Sequence, residues 1–382
     1  MENKNILIIG GGFAGVEAAI TLKKKKYDVT LVSNRDYFFV YPISIWIPTG
    51  KIPFEKSTIL LNKLSKRHGF KLIIDELVNV NGASQTVELK TQTLSFDYLI
   101  LAVGAGKTRH NGIEHTFSIC GQPEQAVAMK ERFDALLAKG SGKIAIGFGG
   151  NPKDKSGVRG GPAFEIMFNF IDTLKKKKIH QHFDFTFFAP MEEPGKRMGK
   201  SGYKMLDVLL KREGIEKRVG NKITAFDATG VHLEDGHYIE SDLTMFIPAT
   251  NGLPIFQNSD LPLNEAGFIK IDDNCKVDGF DSIYAIGDVA ALQGPEWKAK
   301  QGHLAVVMGK NAAYNIDQSI KGGSRRKGYQ KHLNILCVMD TGNGAGFIYR
   351  KNDRDLFIPM PVVGHWMKKA WGWNFKLMRK AL

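Results

Sequence analysis

The chain has 382 residues, 53 lysines and arginines against 39 acids, a formal charge of +14, and hydrophobic and charged fractions of 43% and 24%. Such a composition is globular with room for two or three domains, and no run of about 18 apolar residues is present to span a bilayer. Three cysteines are too few for a disulfide framework, and the positive charge arrives without zinc-finger spacing or an RNA-binding signature, so nucleic acid is excluded as a partner.

The amino terminus passes from MENKN straight into ILIIG, without the basic start, apolar stretch and cleavage site of a signal peptide, which predicts a cytoplasmic protein. Residues 6–32 read as strand, tight turn, helix and strand. Gly10, Gly12 and Gly15 form G-x-G-x-x-G where the strand meets the helix, so backbone amides can approach a pyrophosphate with no Cβ in the way. The second strand of such a unit usually ends in an acid that holds the ribose hydroxyls. Here VTLV is followed by Ser33 and Asn34, whose hydroxyl and amide can do that work. The lysines at 23–26, and again at 175–178, close apolar-periodic helices, where cations complement the dipole.

Farther along, FDYLILAVGA (96–105) reads as a buried strand ending in a glycine turn at Gly104, and SIYAIGDVA (282–290) sets Gly287 and Asp288 at another strand end. The three motifs in this order resemble flavoproteins of the two-dinucleotide-domain class. The resemblance implies FAD as cofactor and a hydrogen bond from its ribityl chain to Asp288; the competing role for Asp288 is a helix N-cap before VAAL.

Between the second and third motifs stands an interrupted unit. KIAIGFGG (143–150) reads as strand and turn, and GGPAFEIMFNFIDTLKKKK (160–178) as a helix with apolar residues at helical spacing. An NADH site needs the glycine turn to run directly into the helix, yet the nine residues NPKDKSGVR, four of them charged, intervene. The sequence therefore predicts a Rossmann-like scaffold that has lost its nicotinamide nucleotide, or else a loop that closes over a nucleotide in an unusual way.

With these pieces the chain resembles the sulfide:quinone oxidoreductases, relatives of flavocytochrome c sulfide dehydrogenase and the type II NADH dehydrogenases. The resemblance rests on VTLVSNRDYFFVYP (29–42), TFSICGQPEQA (116–126), GGPAFE (160–165), YAIGD (284–288), AKQGHLA (299–305), CVMDTGNGAG (337–346) and the tail from Gly364. It implies that Lys300 lies near the flavin pyrimidine ring, where a cation stabilises the charge taken on reduction. It also implies that Cys120 and Cys337 are the first and last family cysteines, able to bond flavin or carry sulfur. A surface lysine and buried apolar thiols are the alternatives. Cys275 lies outside these motifs. Where the family has its middle cysteine this chain has Arg159, and family histidines are replaced by Glu124 and by the stretch 195–197. The usual pair of second and third cysteines cannot form, and an arginine at the donor site suits an anionic substrate.

On a helical wheel of the tail, Trp366, Met367, Ala370, Trp371, Trp373, Leu377, Met378, Ala381 and Leu382 fall on one half. Lys368, Lys369, Lys376, Arg379 and Lys380 fall on the other. An apolar, tryptophan-rich face opposite cations predicts a helix lying in the headgroup plane of anionic lipid, on the cytoplasmic side of the cell membrane. The preceding DLFIPMPVVGHW (355–366) has the composition of an apolar channel wall.

The expected fold is α/β, with two Rossmann-like domains, the second inserted in the first, and a C-terminal membrane-associating segment. The FAD domain takes 1–110 and 245–320, the insert 111–244, and the quinone site and anchor 321–382. The expected function is electron transfer from sulfide or a related small sulfur anion, through a cysteine and FAD, to a membrane quinone. NADH:quinone oxidoreductase is one alternative, and a flavin electron-transfer or redox-sensing partner another. A homo-oligomer is left open.

Overall fold

The structure, a computed structural model, describes residues 4–352 and 354–380, with the side chain of Lys380 outside the description. Four apolar runs near the start form strands of a helix-covered parallel sheet, three of them largely buried and the third in order, at the sheet edge, partly exposed. They are β1 (Asn5–Ile9), β2 (Asp28–Ser33), β3 (Lys71–Ile74) and β4 (Tyr98–Leu101). Helix α1 (Phe13–Lys24) crosses from β1 to β2 and ends in lysines, as its dipole favours.

The chain then enters a second parallel sheet. It is built from β5 (Gly142–Phe148), β6 (Phe183–Ala189), β7 (Glu216–Val219) and β8 (Leu243–Ile247), in the order β7-β6-β5-β8, with α2 (Gly161–Lys176) linking β5 to β6. Because β8 pairs along its whole length with β5, from Ile144 beside Leu243 to Phe148 beside Ile247, the domain edge expected at 244/245 falls inside a strand. The ladder carries the inserted unit to Ile247.

On its return the chain adds β9 (Ile283–Ala285) to the first sheet, giving the order β9-β4-β1-β2-β3, all parallel. Asp288 then sits in a short 3-10 turn, Gly287–Val289, followed by extended chain. The alternative of an α-helix N-cap before VAAL is thereby removed. Helix α3 (Gly302–Ile320) packs across α1, and Asp317 on it binds Lys25 at 2.8 Å, Tyr27 at 2.9 Å and Lys321 at 2.7 Å. Burial pushes the Asp317 carboxyl up, but the hydrogen bonds outweigh it and bring it down from 3.8 to about 2. A carboxylate depressed in the folded state stabilises above its unfolded pKa and loses that contribution as pH falls through the folded one. Asp317→Asn is therefore expected to destabilise at pH 7, with the difference fading between pH 3.8 and about 2. Denaturant titrations across that window check it, and a difference unchanged at the acid end would rule out a charge-based clamp.

The last part is an antiparallel sheet of β10 (Ile335–Asp340), β11 (Gly344–Lys351) and β12 (Arg354–Pro361), followed by α4 (Val363–Lys380). The segment expected to wall a channel is instead the outer strand β12, with Leu356 and Ile358 exposed, together with the exposed Val362 and Val363 that lead into α4. No helix among the described residues is long and apolar enough to cross a membrane.

Helix α4 sorts its residues as the wheel predicts on the apolar side. Trp366 (63% exposed), Met367, Trp371, Trp373 (69%) and Met378 (73%) face outward. The other half is not the solvated basic face expected from sequence. Lys368 is buried and donates to Glu165, and Arg379 binds the mostly buried Glu17 on α1. Lys369 lies 5.0 Å from the Trp366 ring centroid and Lys376 donates to the Lys56 carbonyl. The reason is that two acids lie under the helix, and a buried carboxylate left unpaired is costly. Ala381 and Leu382 fall outside the described residues.

Candidate active site

At the first nucleotide turn each glycine has its own task. Gly10 takes φ +119° and donates its N–H to Val32 O at 2.8 Å, which turns the chain off β1. Gly15 lets α1 press on that turn, since a Cβ there would stand 1.9 Å from Gly10 O. Gly12 caps α1, and a Cβ built on it meets no atom within 4 Å, so the helix N-terminus faces open space as a pyrophosphate would need. Gly104 (φ +77°) and Gly287 (φ +72°) turn the chain after β4 and β9. Ser33 is buried and is engaged with Arg35, donating to its carbonyl at 2.7 Å and accepting from its N–H at 3.2 Å, while Asn34 is exposed. The Nη1 of Arg35 is buried without a partner. An open helix N-terminus, with an orphaned guanidinium nitrogen on the residue that follows Ser33 and Asn34, fits an anionic dinucleotide such as FAD, whose flavin ring supplies the two-electron chemistry when bound.

Beyond the turn several cations gather. Arg159 donates from Nη2 to Asp288, the carboxylate tied by resemblance to the ribityl chain, and its Nε is buried without a partner. Lys300 is buried, donates to Ala290 O and lies 3.8 Å over the Phe268 ring. Burial brings its pKa down to about 7, Asp154 opposing and Arg159 adding to the fall. Lys107 is brought down to about 8 by burial, with Cys120 opposing and Arg159 adding. Tyr41, in the field of Arg35, Cys120 and Arg159, has its hydroxyl pushed up by burial.

Cys337 occupies a different setting. It lies on β10, its thiol pushed up to about 12 by burial and by Glu165, with Lys368 opposing. Glu165, early in α2, is itself raised by burial; it accepts from Asp340 N at 2.8 Å and from Lys368. Lys368 also donates to Val338 O at 3.1 Å, and His365 Nδ1 lies 2.6 Å from Asp340 Oδ2. Thus α4 is fastened to the strand that carries Cys337. Phe375, lower on the same helix, packs with its ring centroid 5.2 Å from that of Phe13 at the start of α1, the rings tilted at 42°.

The N-terminal part of α2 joins the two settings, since Arg159 precedes the helix and Glu165 lies just past its first turn. Cys120 and Cys337 are free thiols, the first grouped with Lys107 and Arg159, the second with Glu165 and Lys368. Cys275 is fully buried and its thiol is raised well above the ordinary value by burial. Lys107 and Glu165 were not singled out from sequence, although the first ends the turn GAGK and the second closes GGPAFE. Asp340 and His365 carried no local signal, because their pairing spans 25 positions.

The interrupting loop is folded inward. Asn151 donates to Thr250 O at 2.8 Å and to Asn251 at 2.7 Å, Thr250 Oγ1 donates to Gly157 O at 3.0 Å, and Arg197 donates to Val158 O at 3.1 Å. At its end Gly160 rests on the Phe148 ring, where a Cβ would come within 2.6 Å.

A family model described as pyridine nucleotide-disulphide oxidoreductase matches residues 4–312. The chain belongs to that family. Among curated relatives, a sulfide-quinone reductase of Aquifex aeolicus is 24% identical over 371 residues, covering 91% of this chain and 83% of the relative. A type II NADH:quinone oxidoreductase of Mycobacterium tuberculosis is 26% identical over 325 residues, covering 76% and 67%. The solved sulfide:quinone oxidoreductase of Aquifex aeolicus superposes with TM-score 0.89 at 22% identity, covering 99% of this chain and 92% of that one. The resemblance read from the motifs is borne out, and so is the two-unit α/β fold. The chain is an oxidoreductase of the flavoprotein kind, and FAD is its cofactor.

Proposed function

We propose that the protein passes two electrons from sulfide, or a related reduced sulfur anion, through Cys337 and FAD to a membrane quinone. Cys120 assists, and Lys300 would favour the charge that FAD takes on reduction. The observation that carries this reading is the contrast between the two units. The glycine turn of the first runs from Gly10 straight into α1, whereas the loop 151–159, tied to Thr250 and Asn251, stands between the turn after β5 and α2. Donation by a nicotinamide nucleotide needs a glycine turn that runs directly into α2, so that the pyrophosphate meets the helix start, and the loop separates the two. The second reading, NADH:quinone oxidoreductase, draws on the likeness to the mycobacterial type II enzyme and is opposed by that loop. Steady-state reduction of a short quinone analogue by sulfide tests the proposal. Flavin that stays oxidised on adding sulfide would remove its sulfur part, and quinone reduction would exclude a partner with no turnover of its own.

The quinone is reached from lipid on the cytoplasmic side, where α4 lies with its tryptophans in the headgroup layer. Burying a large apolar side chain contributes about 1.5–3 kcal/mol, so Trp366→Ala with Trp373→Ala is expected to weaken binding to anionic vesicles at least about a hundredfold. Vesicle flotation reads this out, and unchanged binding would assign the exposed face of α4 to a protein partner.

A further inference from the structure

The N-terminus of α1 has little of its own to hold it. Gly12 brings no side chain to cap the first N–H groups, no acid stands in the first turn, and helix ends left this way fray. Those N–H groups are the ones that meet a pyrophosphate. Phe13, the first helical residue, is half-buried, and its ring is held from outside by the tail of the chain. Phe13 and Phe38 pack edge to face with centroids 4.9 Å apart, and Phe375 on α4 completes a triangle, 5.2 Å from Phe13 and 6.0 Å from Phe38. Phe13 follows the turn after β1 and Phe38 follows the exit of β2, so the Phe375 ring touches both segments at this end of the sheet. The next turn of α1 is gripped as well. Arg379 has its Cζ 3.7 Å from the centroid of the Phe375 ring and pairs with Glu17. The i, i+4 spacing on both helices, Phe13 to Glu17 and Phe375 to Arg379, sets ring on ring and charge on charge. His68 Nε2 lies 3.2 Å from the Arg379 carbonyl oxygen, and a Cβ on Gly372 would stand 2.5 Å from Ile43 Cγ2, so α4 is pressed closely on this surface.

We propose that Phe375 is a positioning residue for the flavin nucleotide. Acting through Phe13, it holds the first turn of α1 in the arrangement that receives the pyrophosphate of FAD, and the Arg379–Glu17 pair keeps it in place. The last helix is thereby a working part of the FAD site, although its sequence lies more than 350 residues from the glycine turn. A turn already ordered loses less freedom when the nucleotide binds, so the clasp acts on how long FAD is retained. Bound FAD is all that this role requires, and it holds for any electron donor or acceptor.

The test is the rate at which the FAD-loaded, full-length protein releases its flavin on dilution, read from the recovery of flavin fluorescence. Phe375→Leu keeps the site apolar and removes the ring; it is expected to release FAD about tenfold faster, the scale of a lost aromatic contact. Phe133→Leu removes a comparable ring, one that stacks on Phe170 of α2 at 4.0 Å, and is expected to lower the thermal midpoint at least as far while releasing FAD at the wild-type rate. A purely structural part for Phe375 would make these two variants alike. Because Phe375 acts through Phe13, the double variant Phe13→Leu with Phe375→Leu is expected to release FAD no faster than Phe13→Leu alone. If Phe375→Leu does not fold, Arg379→Gln, which leaves the ring and frees Glu17 from its partner on α4, decides in its place and is expected to quicken release. Wild-type release in Phe375→Leu, or in Arg379→Gln where that variant decides, overturns the clasp, and so does a double variant whose acceleration is the product of the two single ones. No turnover is involved, so the outcome stands apart from reduction of the flavin by sulfide or NADH.

Discussion

Cys337→Ser is expected to slow reduction of the bound flavin by sulfide at least about a hundredfold, on the scale that loss of a nucleophile costs an enzyme, while the flavin content stays that of the wild type. The second part follows from geometry: Cys337 is on β10, whereas the nucleotide turn is built from β1, α1 and β4. Burial and Glu165 hold the thiol near 12, so the resting sulfur is protonated. Removing the acid's charge with Glu165→Gln should lower that pKa and speed alkylation of Cys337 by a neutral reagent. Stopped-flow bleaching and mass-spectrometric alkylation rates are the measurements. Wild-type bleaching in Cys337→Ser would move the sulfur chemistry to Cys120 or to the flavin itself.

Lys368→Met is expected to cost about 3–5 kcal/mol of stability, because it leaves Glu165 buried without its cation. The two side chains are 8% and 6% exposed, so solvent does little to screen the loss. The double variant Lys368→Met with Glu165→Gln should recover most of it, since a neutral amide in the same place needs no counter-charge. The effect should concentrate on α4, whose attachment also uses His365 on Asp340 and Arg379 on Glu17. Protease sensitivity of the last helix, set beside denaturant titrations of the two variants, measures both parts. A single variant within about 0.5 kcal/mol of the wild type, the range of an ordinary surface change, would mean that the ion pair does not hold the helix down.

Sequence patterning exposed those parts of the molecule whose physics is local. The Gly10–Gly15 turn, the buried runs at 6–9 and 98–101 and the apolar half of α4 each follow from a few neighbouring residues, and each stands where the pattern put it. Three features were not legible, two because they depend on distant partners and one because a neighbouring backbone takes the side chain. The inserted domain ends at Ile247 because β8 pairs with β5 about a hundred residues earlier. The cationic half of α4 turns inward because Glu165 and Glu17 happen to lie beneath it. Ser33 looked like a ribose ligand from its place after VTLV, but its hydroxyl is engaged with the Arg35 backbone, and the orphaned nitrogen belongs to Arg35.

The first nucleotide unit is read as keeping its ligand, and the second, its turn interrupted by the loop 151–159, as having lost its nicotinamide nucleotide. An anaerobic titration of the bound flavin, with sulfide and NADH added to parallel samples, tests this reading most directly. Bleaching by sulfide and none by NADH is the predicted result; rapid bleaching by NADH, with sulfide inert, would contradict the account.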